Sequence, residues 1–228
     1  MGVGMIKGII FDVDETLVYY EGYDSRRWYW EVGRPAMERL GVVLEFETFR
    51  RIVRGELPRT YVERFGVNHV EFWKAMDRAN RVYRERLLRE GKIRPFPDVG
   101  ALEELRKLGL KLGAVSNASQ DNTELVLKAF GLDKYFDVIL GKDYSYLDGV
   151  KPNPYLIKKA LKALKLKPEE VLIVGDSSND VLAGKNSGIK TVNIVRFEKV
   201  PGADYYVKDL WELVEIVKEW GSHAPADR

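Results

Sequence analysis

The chain has 228 residues, of which 45% are hydrophobic, and this length suits one large domain or a core with a smaller insert. Its 37 basic and 35 acidic residues leave a net charge of +2, which does not indicate a nucleic-acid partner. The absence of cysteine excludes disulfides, thiolate zinc sites and cysteine nucleophiles.

No apolar stretch approaches the roughly 20 residues of a membrane span, and the start lacks the pattern of a signal peptide. We therefore expect a cytoplasmic protein with no membrane partner. Charged residues make up 32% of the chain and Gln120 is its single glutamine, a composition that leans toward a heat-adapted protein. The sequence gives no indication of the oligomeric state.

The first predicted element is a short buried strand, the apolar run 8–11, which ends abruptly at Asp12-Val13-Asp14-Glu15-Thr16. After it, residues 18–93 contain several helical stripes of apolar residues and no convincing strand. We interpret residues 18–93 as an all-helical cap domain inserted behind the first strand. The prolines of Pro95-Phe96-Pro97 predict a stiff hinge where the chain returns.

From residue 94 onward, strand and helix patterns alternate. The predicted strands are 112–115, 138–140, 171–174, 191–195 and 205–207, and the predicted helices are 98–108, 122–130, 154–164, one ending near 186 and one beginning near 210. Such alternation implies a doubly wound parallel sheet, so we predict an α/β fold. Its core domain comprises residues 5–17 and 94–221, with a flexible tail at 222–228. Asp98 is predicted to cap the helix that it begins.

Polar side chains follow the predicted strands at points far apart in the sequence. They are Asp12, Asp14, Thr16, Ser116, Asn117, Lys151, Asp176 and Asp180. Because ligand sites gather at the carboxyl ends of parallel strands, we expect these groups to face each other. Neighbouring carboxylates suit a nucleophile that attacks phosphorus and an acid/base beside it. Oxygen ligands of the kind that Mg²⁺ prefers, together with a lysine against phosphoryl charge, indicate magnesium-dependent phosphoryl transfer.

The order of these groups resembles the motifs of the haloacid dehalogenase (HAD) superfamily, over residues 6 to about 220. The motifs stand here as Asp12-Val13-Asp14-Glu15-Thr16, Val115-Ser116-Asn117, Val150-Lys151-Pro152 and Gly175-Asp176-Ser177-Ser178-Asn179-Asp180. The resemblance implies a Rossmann-like α/β core. Dehalogenases of this superfamily lack an acid/base carboxylate at the position of Asp14, so its presence favours the phosphatase branch. A helical insert between the first two motifs resembles the C1-type cap.

The resemblance also implies roles for the acidic residues. Asp12 would be the nucleophile and a metal ligand. Asp14 would be the general acid/base, with its main-chain carbonyl facing the metal. Asp176 would bind Mg²⁺ directly, and Asp180 would lie close to the metal directly or through water.

The remaining motif residues would bind the phosphate group of the substrate. Ser116 and the main-chain N–H of Asn117 would hold its oxygens, and Lys151 would neutralise charge between Asp12 and the phosphoryl group. Thr16 belongs to the same set and would hold the loop and orient the second carboxylate. Glu15 stands where similar proteins often have glycine, and it adds a charge near the entrance.

We therefore expect a phosphatase that acts on a small phosphorylated metabolite through an aspartyl-phosphate. Phosphoglycolate, a triose or sugar phosphate, and a nucleoside monophosphate all suit a helical cap of this size. A phosphomutase of the beta-phosphoglucomutase type is the alternative within enzymes, and a noncatalytic phosphate-binding or signalling protein is the alternative outside them. In the aromatic segment 19–30, Arg26 or Arg27 either reaches an anionic substrate or lies among rings that pack internally.

Overall fold

The structure is a computed structural model that describes residues 5–222. The described residues form eight strands, which are, in chain order, β1 (Gly8–Phe11), β2 (Val18–Tyr20), β3 (Ile93–Pro95), β4 (Lys111–Ser119), β5 (Val138–Lys142), β6 (Val171–Gly175), β7 (Lys190–Ile194) and β8 (Tyr205–Val207). They also form nine α-helices: α1 (Ser25–Trp28), α2 (Arg34–Glu38), α3 (Phe46–Val53), α4 (His69–Arg89), α5 (Ala101–Lys107), α6 (Gln120–Ala129), α7 (Tyr155–Leu164), α8 (Ser178–Asn186) and α9 (Leu210–Ser222). None of these helices is long and apolar enough to span a bilayer.

Six strands form one parallel sheet in the order β5-β4-β1-β6-β7-β8. The strand order reverses at β1, because β4 and β5 lie on one side of it and β6, β7 and β8 on the other. Such a switch point opens a crevice at the carboxyl ends of the central strands. The predicted α/β fold is confirmed, and β4 is longer than expected because it continues past a register shift between Val115 and Ser119.

Both faces of the sheet are covered by helices. Successive side chains of a strand point to opposite faces, and the fully buried β1 shows this directly. Ile9 and Phe11 pack in a cluster that includes residues of α5 and α9, whereas Ile10 packs with residues of α7 and α8. The apolar run 8–11 therefore supplies both halves of the core and fixes the position of the acidic segment that follows it.

Residues 21–92, the helical insert, have an apolar core of their own. Its largest buried side chains include Tyr29, Met37 and Phe72, and Leu147 from the sheet side also joins this cluster. Between and beside the α-helices lie a π-helical stretch and a 3₁₀ helix, Tyr29–Gly33 and Arg59–Phe65. The insert is helical throughout its regular structure, as the sequence predicts, while the domain boundaries remain a prediction.

The prediction that residues 18–93 contain no strand is wrong at both ends of that range. Strand β2 pairs antiparallel with β3, with Val18 opposite Pro95 and Tyr20 opposite Ile93. Three residues are too few to show an alternating pattern, and each strand forms only because its distant partner is present. This two-stranded ribbon joins the entrance and the exit of the insert.

The predicted capping role of Asp98 is also wrong. Helix α5 begins at Ala101, and Asp98 instead accepts a hydrogen bond of 2.7 Å from the main-chain N–H of Leu210, at the start of α9. It also accepts two from Arg196, of 2.8 and 2.9 Å. The position of Asp98 before a helical pattern misleads because a capping side chain can accept hydrogen bonds from a helix that is remote in sequence. The predicted tail, 222–228, starts at the last residue of α9, and residues 223–228 lie outside the described range.

Candidate active site

Asp12 and Lys151 form an ion pair at the centre of the sheet edge. Asp12 follows β1 directly and is 9% exposed, and its Oδ1 accepts a hydrogen bond of 2.5 Å from Lys151 Nζ. Lys151 also donates to Asp180 Oδ1 at 2.7 Å and to the main-chain oxygen of Val115 at 2.8 Å. Although burial lowers it, the attraction of both carboxylates holds the pKa of Lys151 above its ordinary value. The lysine is therefore a fixed positive charge between two acidic groups.

Three carboxylates crowd this edge, and their chemistry fits a divalent cation. Asp12, Asp176 and Asp180 each place one oxygen within 4.8 Å of the others. Burial raises the pKa of Asp12 well above its ordinary value although Lys151 opposes the shift, and Asp180 and Asp176 add to it. Burial and the charge of Asp180 raise the pKa of Asp176 to about 6. Magnesium takes hard oxygen ligands of this kind and would relieve the repulsion between them.

Local contacts hold these carboxylates in place. The buried Thr16 hydroxyl lies 3.2 Å from Asp12 Oδ2 and 3.1 Å from Asp176 Oδ1, a position suited to orienting them. At the start of α8, the second oxygen of Asp180 accepts hydrogen bonds from Ser177, of 3.1 Å from the main chain and 2.6 Å from the hydroxyl. Gly175 leaves room for this turn, since an added Cβ would lie 2.5 Å from Asp180 Oδ2.

Ser116 and Asn117 lie at the irregular end of β4, beside Lys151. Ser116 is buried, and its Oγ accepts a hydrogen bond of 3.0 Å from the main-chain N–H of Ala118. The Asn117 side chain forms a reciprocal pair with the Lys151 main chain, with distances of 2.9 Å to its oxygen and 2.8 Å from its nitrogen. The sequence does not indicate this contact. Phosphate binding by Ser116, by the Asn117 N–H and by Thr16 stays a prediction.

Asp14, the predicted acid/base, is not one of the three clustered carboxylates and binds the helical insert. Arg84 of α4 donates to both of its oxygens, at 3.1 Å to Oδ1 and 2.7 Å to Oδ2. The hydroxyl of Tyr20 donates to Oδ1 at 2.6 Å. Burial raises the pKa of Asp14, but Arg84 and Tyr20 outweigh burial and hold it below its ordinary value. Metal binding by Asp14 through its main-chain carbonyl stays a prediction.

Glu15 adopts a backbone conformation that favours glycine, with φ at 62°. This explains why glycine suits the position in proteins with similar motifs. The Glu15 carboxylate accepts a hydrogen bond of 3.3 Å from the main-chain N–H of Tyr20. Burial is the main cause that raises its pKa to about 7.

Two cavities adjoin these residues. The first, of about 420 Å³, lies between the insert and the sheet edge and reaches Asp14, Glu15 and Asn117. The second, of about 470 Å³, reaches Lys151. The first has aromatic and basic walls; their side chains are Tyr20, Tyr23, Trp28, Phe46, Phe49, Trp73, Tyr83, Arg50, Arg54, Arg59, Arg84 and Lys142. Both volumes suit a small molecule.

The basic residues of the cavity differ from those that the sequence suggested. Neither Arg26 nor Arg27 lines it, and Arg26 instead lies over the Phe46 ring at 5.0 Å. Arg84 and Asp77 of α4 carried a usable signal, because both charges fall inside the apolar stripe of that helix. A charge within a buried stripe requires a partner, which the apolar pattern alone does not identify.

Comparison with known proteins agrees with this geometry. Residues 9–194 match the family model of the haloacid dehalogenase-like hydrolases. The "Putative pyrophosphatase PpaX" of Caldanaerobacter subterraneus subsp. tengcongensis is 32% identical over 222 residues, which cover 93% of this chain and 95% of that protein.

Solved structures of similar proteins share the fold. CbbY from Rhodobacter sphaeroides in complex with phosphate has a TM-score of 0.68 at 24% identity, covering 92% of this chain and 96% of its own. A HAD phosphatase from Thermococcus onnurineus has a TM-score of 0.61 at 26% identity, covering 93% and 98%.

The parallel sheet, the acidic edge and the helical insert define a hydrolase of the HAD type. The chain belongs to the haloacid dehalogenase-like hydrolases, and the family model covers most of its length. Within that family it belongs to the phosphatase branch, which confirms the resemblance drawn from the sequence motifs. Membership in a family of enzymes also argues against the noncatalytic alternative.

Proposed function

We propose that this protein is a magnesium-dependent phosphatase that hydrolyses a small phosphorylated substrate through a phosphoenzyme on Asp12. The observation that carries the proposal is the cluster of Asp12, Asp176 and Asp180 at the carboxyl edge of the sheet, where Asp12 and Asp180 also pair with the Lys151 ammonium group. A desolvated carboxylate cluster with one fixed cation suits a doubly charged metal and a phosphoryl group together.

In the first half-reaction, a carboxylate oxygen of Asp12 forms a bond to phosphorus while the bond from phosphorus to the leaving oxygen breaks. Lys151 stabilises the negative charge that spreads over the phosphoryl oxygens, and Ser116 and the Asn117 N–H hold those oxygens. Magnesium, held by Asp12 and Asp176 with Asp180 close by, would supply further neutralisation of that charge.

In the second half-reaction, water cleaves the aspartyl-phosphate and releases phosphate. Asp14 takes the proton of that water, and its contacts with Arg84 and Tyr20 keep it in the carboxylate form that a base requires. Protonation of a leaving group in the first half-reaction would require Asp14 to leave Arg84.

Four kinds of substrate suit the site. Phosphoglycolate, a triose or sugar phosphate, and a nucleoside monophosphate follow from the sequence, and the name of the PpaX relative adds inorganic pyrophosphate. A cavity of about 420 Å³ admits each of them.

The test is phosphate release from these four kinds of compound and from p-nitrophenyl phosphate, with magnesium and with excess chelator. Asp12→Asn serves as the blank, since it removes the nucleophile at almost constant volume. We expect release that requires magnesium and is absent in the blank. Near-normal turnover by Asp12→Asn would exclude the covalent mechanism.

A phosphomutase is the second candidate, because Asp12 is 9% exposed beneath the insert and a mutase must protect its phosphoenzyme from water. Exchange between isomers of a hexose phosphate, without release of phosphate, would favour it over the phosphatase.

A further inference from the structure

We propose that Arg196 is a positioning residue of the reaction, which holds the main chain of the acidic segment 12–16 in place. Through Thr16 it sets the orientation of two carboxylates of the cluster, Asp12 and Asp176. This inference rests on the proposed function and adds to it a residue that lines neither cavity.

Arg196 lies two residues beyond the end of β7 and binds the carbonyl oxygen of Thr16. Two of its nitrogens donate to that oxygen, Nη2 at 2.8 Å and Nε at 3.1 Å. The Arg196 side chain is 6% exposed. A buried carbonyl group without a donor is costly, and a charged donor forms a stronger hydrogen bond than a neutral one. Arg196 therefore fixes the main chain at a residue 180 positions earlier in the sequence.

The position of Thr16 affects how two of the clustered carboxylates are oriented. The Thr16 hydroxyl lies 3.2 Å from Asp12 Oδ2 and 3.1 Å from Asp176 Oδ1. Because the Thr16 side chain is short and fully buried, the place of its hydroxyl follows from the place of its main chain. A shift of that main chain would therefore move the contact that links the nucleophile to the second acidic segment.

Arg196 can hold Thr16 because other contacts fix its guanidinium group. Asp98 accepts hydrogen bonds from Nη1 at 2.8 Å and from Nη2 at 2.9 Å. The Phe96 ring packs on the same group, with its centroid 3.8 Å from Cζ. The main-chain N–H of Phe96 also donates to the carbonyl oxygen of Leu17, at 3.0 Å. Arg196 is thus held between the acidic segment and the segment that returns from the insert.

An ion pair with Asp98 alone does not account for the contacts of Arg196. A guanidinium group has five N–H donors in a rigid planar arrangement, and Arg196 binds a carboxylate and a carbonyl oxygen with them at once. Neutralising Asp98 requires only one positive charge, which a lysine would also supply. The two bonds to the Thr16 carbonyl oxygen are the contacts that favour a positioning role.

The end of β7 also supports the second acidic segment. Asn193, the residue before the last of β7, is fully buried, and its Nδ2 donates to the carbonyl oxygens of Gly175 at 3.3 Å and Asp176 at 3.4 Å. Residues 193–196 therefore bind the main chains of both segments that carry the clustered carboxylates. Contacts of this kind, behind the groups that do the chemistry, set the geometry of those groups.

The test compares the wild type with Arg196→Met and Arg196→Lys, at a temperature at which circular dichroism shows the proteins to be folded. Steady-state hydrolysis of p-nitrophenyl phosphate with magnesium gives kcat and KM. In Arg196→Met we expect kcat to fall about tenfold to a hundredfold. KM should stay within about threefold, because Arg196 lines neither cavity. Arg196→Lys keeps a positive charge beside Asp98 and should recover part of kcat.

Magnesium binding gives a readout that does not depend on turnover. Magnesium chloride is titrated into each protein in a calorimeter, which reports the Kd and the stoichiometry separately. We expect the Kd to rise about tenfold in Arg196→Met at unchanged stoichiometry, since Asp12 and Asp176 lose their orientation. A purely structural role would lower the stoichiometry, through the unfolded fraction, and leave the Kd unchanged. An unchanged Kd would overturn the proposal, and if Arg196→Met does not fold, the Kd of Arg196→Lys decides in the same way.

The matched control is Arg106→Met. Arg106 likewise bridges a main-chain carbonyl oxygen, that of Leu110, and a carboxylate, that of Asp137, but it lies near the first residues of β4 and away from the carboxyl edge of the sheet. Its kcat and its Kd for magnesium should stay within about twofold of the wild-type values. An equal rise of the Kd in Arg106→Met and Arg196→Met would show a general effect of losing such a bridge and would overturn the proposal.

The two readouts keep this inference separate from the proposed function. If the wild type bound magnesium but released phosphate from none of the compounds, the phosphatase would be rejected, and the comparison of Kd values would still decide the role of Arg196. If the wild type were an active phosphatase and the Kd did not change in Arg196→Met, the positioning role alone would be rejected. No binding of magnesium to the wild type would overturn both.

Discussion

Arg84 and Asp14, 70 residues apart in the chain, form a two-pronged ion pair that joins the helical insert to the sheet edge. The guanidinium group is 9% exposed and the carboxylate 27% exposed. The proposed acid/base of the core is thus held in its charged form by a residue of the insert. The position of the insert and the state of Asp14 are physically linked.

Replacing Arg84 should destabilise the protein strongly. Arg84→Met leaves the Asp14 carboxylate with Tyr20 alone, and loss of one partner from a buried pair lowers the free energy of unfolding by about 3 kcal/mol. Arg81→Met is the control, because Arg81 on the same helix pairs with Glu85 at partly exposed positions and should lose about 0.5 kcal/mol. Urea unfolding of both variants without metal checks this. Equal losses in the free energy of unfolding of the two variants would mean that the buried ion pair stabilises the protein no more than the exposed one.

Asn117→Ala should weaken both stability and catalysis. The variant removes two hydrogen bonds to the Lys151 main chain, which contribute about 1 kcal/mol each to the free energy of unfolding. Lys151 is then less well placed against Asp12, so kcat should fall about tenfold while the pattern of substrates stays the same. Steady-state kinetics together with urea unfolding measure both effects. A stability loss with unchanged kcat would show that Lys151 positions itself without Asn117.

Magnesium should stabilise the folded protein. Because the ion binds the folded carboxylate cluster and not the unfolded chain, a concentration about 100 times its dissociation constant should add about 2.7 kcal/mol. In Asp176→Asn most of that gain should disappear, since one of the three crowded carboxylates is lost. Thermal melting with magnesium and with chelator gives the comparison. The same melting experiment with calcium shows whether another divalent cation has this effect. If Asp176→Asn still gained full stability from magnesium, the metal would bind elsewhere.

Glu15→Gln should stabilise the metal-free protein at high pH and not at low pH. The pKa of Glu15 is about 7 in the folded state and has an ordinary value of 4.5, so ionisation favours the unfolded chain. Relative to the variant, the wild type therefore loses stability as the pH rises from about 4.5 to about 7. Melting temperatures with chelator between pH 4 and pH 8 test this sign. A difference that is constant over that range would assign the effect to something other than the charge.

Glu15→Gly tests how much the backbone conformation of the same residue costs in stability. Relief of a positive φ in a residue other than glycine adds about 1 kcal/mol at every pH. The difference between the Gly and Gln variants should therefore not vary with pH.

The sequence predicts the core of this protein because its signals are local. A strand such as β1 is an uninterrupted apolar run with acidic residues at its end, and the alternation of later elements defines the parallel sheet. The order of strand-end groups then places Asp12, Lys151 and Asp176 at one edge, where the structure has them.

Contacts between distant segments cannot be predicted from such local signals. The pairing of β2 with β3, the bond from Leu210 to Asp98 and the ion pair of Arg84 exist only once the chain has folded. Arg59 is hidden for another reason, since a single arginine after a proline is indistinguishable in sequence from a solvated one. Its burial beside the first cavity distinguishes it, and burial cannot be read residue by residue from a sequence.

Helix α4 carries opposite charges to its two buried contacts with the core. Asp77 binds Lys142 at the end of β5, and Arg84, two turns or about 10 Å further along the helix, binds Asp14. Were the helix reversed, acid would face acid and base would face base, and a displacement by that distance would create one of these two repulsive contacts. These two ion pairs therefore favour one orientation and one register of the insert on the core. Aromatic contacts alone are less directional and would not fix that register.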